Sequence, residues 1–113
     1  MKGGALSILL GSYTAELALL HLFHYGETYG RAVARDMNAS LESVQRQLDK
    51  FERAGILISK LVGRTRLYLW NPKSPLAPKM KEMVREVYEG IPLERRVELF
   101  SERRRPRGKG KPV

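Results

Sequence analysis

The most regular pattern of apolar and polar positions lies in segment 41–54. There Leu41, Val44, Leu48 and Phe51 follow one another at intervals of three or four residues, so they fall on one side of a helix. Polar and basic residues fill the other positions. The pattern predicts an amphipathic helix with one side packed on a core and the other exposed to solvent.

The polar side of this helix carries groups that can read DNA bases. Arg can pair with O6 and N7 of guanine, and Gln can pair with N6 and N7 of adenine. A solvated surface helix would show the same residue types, so the neighbouring elements decide between the two interpretations. The predicted polar side and its flanks comprise Ser43, Gln45, Arg46, Gln47, Lys50 and Arg53.

A shorter helix is predicted immediately upstream, because apolar residues between Tyr29 and Met37 again have helical spacing. Three residues, 38–40, separate the two helices, and Ser40 can cap the second one by accepting a backbone hydrogen bond. This connection is typical of a helix-turn-helix, whose second helix enters the major groove. The residues of the first helix expected to project outward are Arg31, Arg35 and Asp36.

A basic β-hairpin is predicted after the second helix. Gly55 can end that helix in the left-handed conformation, and 56–62 and 65–70 have strand-like composition around a turn at Gly63. Basic side chains near such a tip are suited to phosphates or to an adjacent minor groove. An ordinary basic turn is the alternative. The side chains concerned are Lys60, Arg64 and Arg66.

Segment 29–70 resembles the winged helix-turn-helix domain of ArsR-like and MarR-like transcriptional regulators. The run SVQRQLDKFERAGIL is similar to their recognition helix, and VGRTRLYLWNP is similar to their wing. The resemblance implies a mainly α fold with a small β-hairpin wing, in the α+β class. It also implies DNA contacts from the helix and the wing. The full set of predicted DNA-binding residues is Ser40, Ser43, Gln45, Arg46, Gln47, Lys50, Lys60, Arg64 and Arg66.

Candidate metal and catalytic sites are few. The chain has no cysteine, so it departs from metal-sensing members of these families and cannot sense metals through thiolates. His21 and His24 lie three residues apart in an apolar run, and we interpret them as packed side chains with hydrogen-bonded imidazoles. The chain shows no P-loop, nucleophile elbow or HExxH motif. We therefore expect no metal, no cofactor and no enzymatic activity.

The net charge of +9 is concentrated in two segments. Residues 31–73 contain nine basic and four acidic side chains, and 103–113 contain six basic side chains and no acidic one. This distribution favours a polyanionic partner, because neutralised phosphates release counterions. We predict that the tail is unstructured and binds the DNA backbone, with a merely solubilising extension as the alternative. The tail residues concerned are Arg103, Arg104, Arg105 and Arg107.

The outer segments suggest self-association. The run AELALLHLF, 15–23, is apolar almost all round, and a chain this small is not expected to bury every side of it. A second apolar stripe follows Pro75, and Pro92 can start a last short helix. We expect a homodimer, with closure of the monomer core as the alternative. The predicted dimerisation residues are Leu19, Leu22, Phe23, Met80, Met83, Val87, Leu93 and Val97.

The sequence therefore predicts a winged helix-turn-helix domain over 1–74, C-terminal dimerisation helices over 75–102 and a basic tail over 103–113. We expect a dimeric, sequence-specific regulator of transcription that binds double-stranded DNA and acts as a repressor. It has no credible signal peptide or membrane span, so we expect it in the cytoplasm, at the nucleoid. Two alternatives stay open: an adaptor for a nucleotidyltransferase-type enzyme and an RNA-binding winged helix. An effector or a partner protein is also left open.

Overall fold

The computed structural model describes residues 4–101, which form helices around one β-hairpin. The tail, 103–113, lies outside the described residues. The elements follow the chain in the order α1 (Ala5–Leu10), α2 (Tyr13–Tyr25), α3 (Gly30–Met37), α4 (Leu41–Arg53), β1 (Leu57–Val62), β2 (Thr65–Trp70), α5 (Ala77–Glu89) and α6 (Leu93–Arg96), with a π-helical segment over Val97–Ser101. This architecture confirms the predicted mainly α fold with a hairpin wing.

Local chemistry fixes both ends of α4. The hydroxyl of Ser40 accepts a hydrogen bond from the backbone N–H of Ser43 at 3.2 Å, as predicted for an N-cap. At the other end, Gly55 adopts a φ of 80°, a left-handed conformation that costs glycine no steric clash. Asn38 takes a φ of 56° at the end of α3, which turns the chain sharply towards α4.

The hairpin has a two-residue turn. Val62 pairs with Thr65, so Gly63 and Arg64 form the tip, and Gly63 has the positive φ that such turns require. Tyr68 on β2 is buried and forms an additional bridge with Thr28, which precedes α3. The bridge between Tyr68 and Thr28 therefore connects the hairpin, through β2, to the start of the helix-turn-helix.

The central helix α2 shows where one expectation was wrong. All eight residues from Ala15 to Leu22 are buried, because α1, α3, α4 and α5 each pack against this helix. Leu19 and Leu22 are fully covered by the chain's own core, so the prediction that they form dimer contacts is wrong. A small domain can bury one helix on every side when that helix lies at its centre.

A second correction concerns Asp36, which was expected to project outward from α3. Its side chain is fully buried, with Oδ2 2.8 Å from Nε2 of His21, and its Oδ1 accepts a hydrogen bond from Nε of Arg35 at 3.0 Å. The other ring nitrogen of His21 lies 2.7 Å from the Thr28 hydroxyl. The interpretation of His21 as a hydrogen-bonded core residue is thus confirmed, and its partner is an acid that helical spacing assigned to the surface.

The described residues were also compared with the requirements of a membrane-spanning helix and of a metal site. No helix within 4–101 combines the length and the apolar character needed to cross a bilayer. The same part of the chain contains no cluster of three or more His, Asp or Glu side chains that could hold a metal ion.

Candidate nucleic-acid interface

The outermost line of α4 is the side of the helix directly opposite its buried residues. Val44, Leu48 and Phe51 are buried, and at about 100° per residue Arg46 lies opposite them. The Arg46 side chain is 63% exposed, and its guanidinium lies 3.9 Å from the carboxylate of Glu42. Such an exposed ion pair is weak, so the guanidinium can exchange Glu42 for another acceptor.

Gln45 does not share that freedom. Its amide nitrogen donates to the Tyr68 hydroxyl at 2.7 Å and to Asp49 at 3.3 Å. The Tyr68 hydroxyl in turn donates to Asp49 at 2.9 Å. Burial, followed by the hydrogen bond and the charge of Asp49, raises the pKa of Tyr68 to about 12. These hydrogen bonds indicate that Gln45 connects α4 to the wing, and they do not favour the predicted role of Gln45 in binding bases.

The close approach of α3 to α4 depends on Gly30. A Cβ atom at this position would lie 2.6 Å from Oε1 of Gln45, well inside van der Waals contact. Because Gln45 is held by Tyr68 and Asp49, it cannot move aside without losing hydrogen bonds. Gly30 therefore lets the two helices of the helix-turn-helix approach closely beside the wing.

Three other predicted positions lie on the opposite flank of α4. Ser43 and Gln47 are half-buried, and the ammonium of Lys50 lies 3.5 Å from the carbonyl oxygen of Leu10, at the end of α1. Lys50 also lies 5.3 Å from the ring centre of Phe51. Helical geometry explains this placement, because positions 43, 47 and 50 lie on the flank of α4 opposite to Gln45 and Asp49 rather than straight outward.

The wing presents its basic side chains as predicted. Lys60, Arg64 and Arg66 are all exposed. A guanidinium nitrogen of Arg66 donates to the Ser59 hydroxyl at 3.0 Å, and that hydroxyl donates to Glu52 of α4 at 2.7 Å. This chain of contacts links the wing to α4.

A cleft of about 950 Å³ separates the wing from the helix-turn-helix. Of the predicted DNA-binding residues, Gln45, Arg46, Arg64 and Arg66 line it. Ser40, Ser43, Gln47, Lys50 and Lys60 do not. Arg31 lines the cleft as well, although it is not among the predicted DNA-binding residues. Its predicted outward position on α3 was the signal in the sequence that could have included it. Four arginines against two carboxylates, Glu42 and Asp49, make the cleft basic.

The remaining candidates for dimerisation lie at the surface or partly so. Leu93 is 66% exposed and Val97 50% exposed, both on the C-terminal helical segment. Met83 is exposed on α5. Phe23, Met80 and Val87 are half-buried and pack against the core of their own chain.

Comparisons with known proteins bear on the fold. No protein-family model and no curated protein matches the chain. Two solved structures are similar to it: a MarR-family transcriptional regulator from Rhodococcus sp. RHA1, with 16% identity over 85% of this chain and 74% of that one and a TM-score of 0.55, and the antimony-specific transcriptional repressor AntR, with 23% identity and a TM-score of 0.49. The match to AntR spans 65% of the length of each chain. The chain thus has a winged-helix fold like that of MarR-family regulators.

Proposed function

We propose that this protein is a regulator of transcription that binds double-stranded DNA in a sequence-specific manner. The observation that carries the proposal is the position of Arg46, exposed on the outermost line of α4 and bordering a cleft with Arg31, Arg64 and Arg66. Bases would be read by Arg46 in the major groove, while the wing arginines would contact phosphates or the minor groove. The winged-helix fold supports this arrangement.

The test compares two arginine variants on selected and scrambled duplexes. Arg46→Ala is expected to weaken binding to a duplex selected from a random pool by about 1 to 3 kcal/mol, with little change on scrambled sequence. Arg85→Ala is the control, because it removes the same charge from α5, outside the cleft. Equal losses on both duplexes for Arg46→Ala would show that α4 does not read bases.

We further propose that the protein is a homodimer, joined through its C-terminal segment. Leu93 and Val97 are large apolar side chains left exposed there, and a two-fold dimer would present two copies of α4 to successive major grooves. Sedimentation is expected to show a dimer for the native chain and a monomer for the double variant Leu93→Lys and Val97→Glu. A double variant that still sediments as a dimer would contradict this assignment.

We also propose a role for the basic tail and a mode of regulation. Arg103, Arg104, Arg105 and Arg107 would bind the DNA backbone without regard to sequence, and their removal should flatten the salt dependence of binding. Repression is the mode we propose, since a protein bound across a promoter excludes polymerase by occupancy alone. Transcription in vitro from a promoter that contains the selected duplex tests it.

A second candidate function has one observation in its favour. The wing exposes Ile58, Leu61 and Val62 beside its basic residues, and apolar side chains at an exposed edge suit a protein partner better than a phosphate backbone. The wing would then serve as the contact surface of an adaptor, for instance for a nucleotidyltransferase-type enzyme. Co-purification of such an enzyme, together with no duplex binding at low salt, would support the adaptor over the regulator.

A further inference from the structure

A second cavity, of about 630 Å³, lies between α2, α3 and the C-terminal helices, away from the basic cleft. Its volume falls in the range of small-molecule sites, which are mostly apolar with a few polar groups that orient the ligand. The apolar part of its lining is formed by Leu17, Leu20, Met37, Val87, Ile91 and Leu99.

Glu16 is the polar group of this cavity that the fold leaves incompletely satisfied. Glu16 is among the residues that line the cavity, it is only 1% exposed, and no hydrogen-bond partner within 4–101 reaches its Oε1 atom. The backbone N–H of Ser7 hydrogen-bonds to the carboxyl group, yet burial raises the pKa of Glu16. A buried carboxyl oxygen without a partner is costly, so a ligand that supplied a donor there would recover that cost.

The other charged groups around the cavity leave this carboxyl without a cation. Asp36 is engaged by His21 and Arg35, and Glu86 adds a further negative charge. Among the described residues, Arg95 is the only basic one in the lining, and its guanidinium lies 3.2 Å from Glu98. The three carboxyl groups of the described lining therefore outnumber its one guanidinium, which is 52% exposed and forms only a weak surface ion pair.

We propose that this cavity binds a small organic cation, with its ammonium group on Glu16 and its apolar body against Leu17, Leu20 and Val87. A metal ion does not fit, since the described residues bring no three His, Asp or Glu side chains together. An ammonium donates to a carboxylate through short, charge-assisted hydrogen bonds. This proposal does not depend on whether the protein binds DNA.

The test uses three probes of one shape and different charge: 3-phenylpropylammonium, 3-phenylpropanol and 3-phenylpropanoate. Calorimetric titration of the full chain at pH 7 is expected to show saturable binding of the ammonium with a Kd below about 1 mM. The alcohol should bind at least about tenfold more weakly and the carboxylate not at all. Absence of saturable ammonium binding, or equal binding of ammonium and alcohol, would overturn the proposal.

Variants locate the site. Glu16→Gln keeps the size of the side chain and should weaken ammonium binding at least about tenfold while leaving the alcohol unchanged. Glu89→Gln, an exposed change on the same chain outside the cavity, should have no effect. Val87→Phe fills part of the cavity and should weaken both probes, which gives a second readout if Glu16→Gln alters folding. Unchanged ammonium affinity in Glu16→Gln or in Val87→Phe would overturn the assignment.

A last variant tests whether the basic tail of the same chain occupies the cavity. The basic tail is the other source of cations, so the full-length chain with Arg103, Arg104, Arg105 and Arg107 all changed to Gln is titrated in parallel. We expect the same ammonium affinity as in the native chain. A gain of about tenfold or more would identify the tail as a competitor for the cavity and would overturn the small-molecule assignment.

Discussion

The two ends of α3 line two unlike regions of the molecule. At its beginning, Gly30 and Arg31 line the basic cleft, where arginines lie at the surface. At its end, Asp36 and Met37 line the second cavity, where the carboxyl groups of Glu16 and Asp36 are buried. An exposed charge costs little free energy and is available to a polyanion, whereas a buried charge must be paired or it destabilises the fold.

The largest expected effect is on the free energy of unfolding, when the buried carboxylate of Asp36 in the second cavity is removed. Asp36→Ala leaves His21 and Arg35 without this carboxylate, and removal of one partner of a buried pair costs about 3 to 5 kcal/mol. Urea unfolding should show this loss. Glu42→Ala is the matched control at the cleft, where the carboxylate is 87% exposed, and it should change stability by less than about 0.5 kcal/mol. Similar losses for both variants would remove the contrast between the regions.

A smaller effect is expected at the cleft end of α3, where packing rather than charge is under strain. Gly30→Ala should destabilise the native chain by about 1 kcal/mol, because its Cβ displaces Gln45 from Tyr68 and Asp49. In the Gln45→Ala background the obstacle is gone, so the same change should stabilise the chain by about 0.5 kcal/mol, because alanine has less backbone freedom than glycine to lose on folding. A double-mutant cycle measures this reversal. Additive effects would show that Gly30 and Gln45 are not in contact.

The smallest effect is a pH dependence of stability at Glu16. Its pKa is raised in the folded state above the usual 4.5 because the group is buried. The folded protein therefore holds this proton more tightly than the unfolded chain does, and the stabilisation is lost as the pH rises from about 4.5 through the higher folded value. Glu16→Gln should remove that decline. Parallel stability profiles for the native chain and Glu16→Gln over this pH range would contradict the assignment.

Much of the helix-turn-helix and of the wing could be predicted from the sequence, because the signals for these elements are local. The apolar spacing of Leu48 and its neighbours, the cap at Ser40 and the turn at Gly63 each depend on residues a few positions away. The structure bears out the cap and the turn, and it buries Val44, Leu48 and Phe51, but Leu41, predicted on the same packed side, is 38% exposed. Exposure of Arg46 could likewise be predicted, since an amphipathic helix on a core has only one side to present to solvent.

Tertiary structure decided the roles of individual polar side chains. Gln45 and Lys50 have the same local appearance as Arg46, but Gln45 is bonded to a tyrosine 23 residues away and Lys50 to a carbonyl 40 residues away. Asp36 has the spacing of a surface residue and is buried by its pairing with His21. Periodicity reports which way a side chain leaves its helix, but the elements that cover it come from distant parts of the chain. The burial of α2 on every side and the cavity at Glu16 arise in that way.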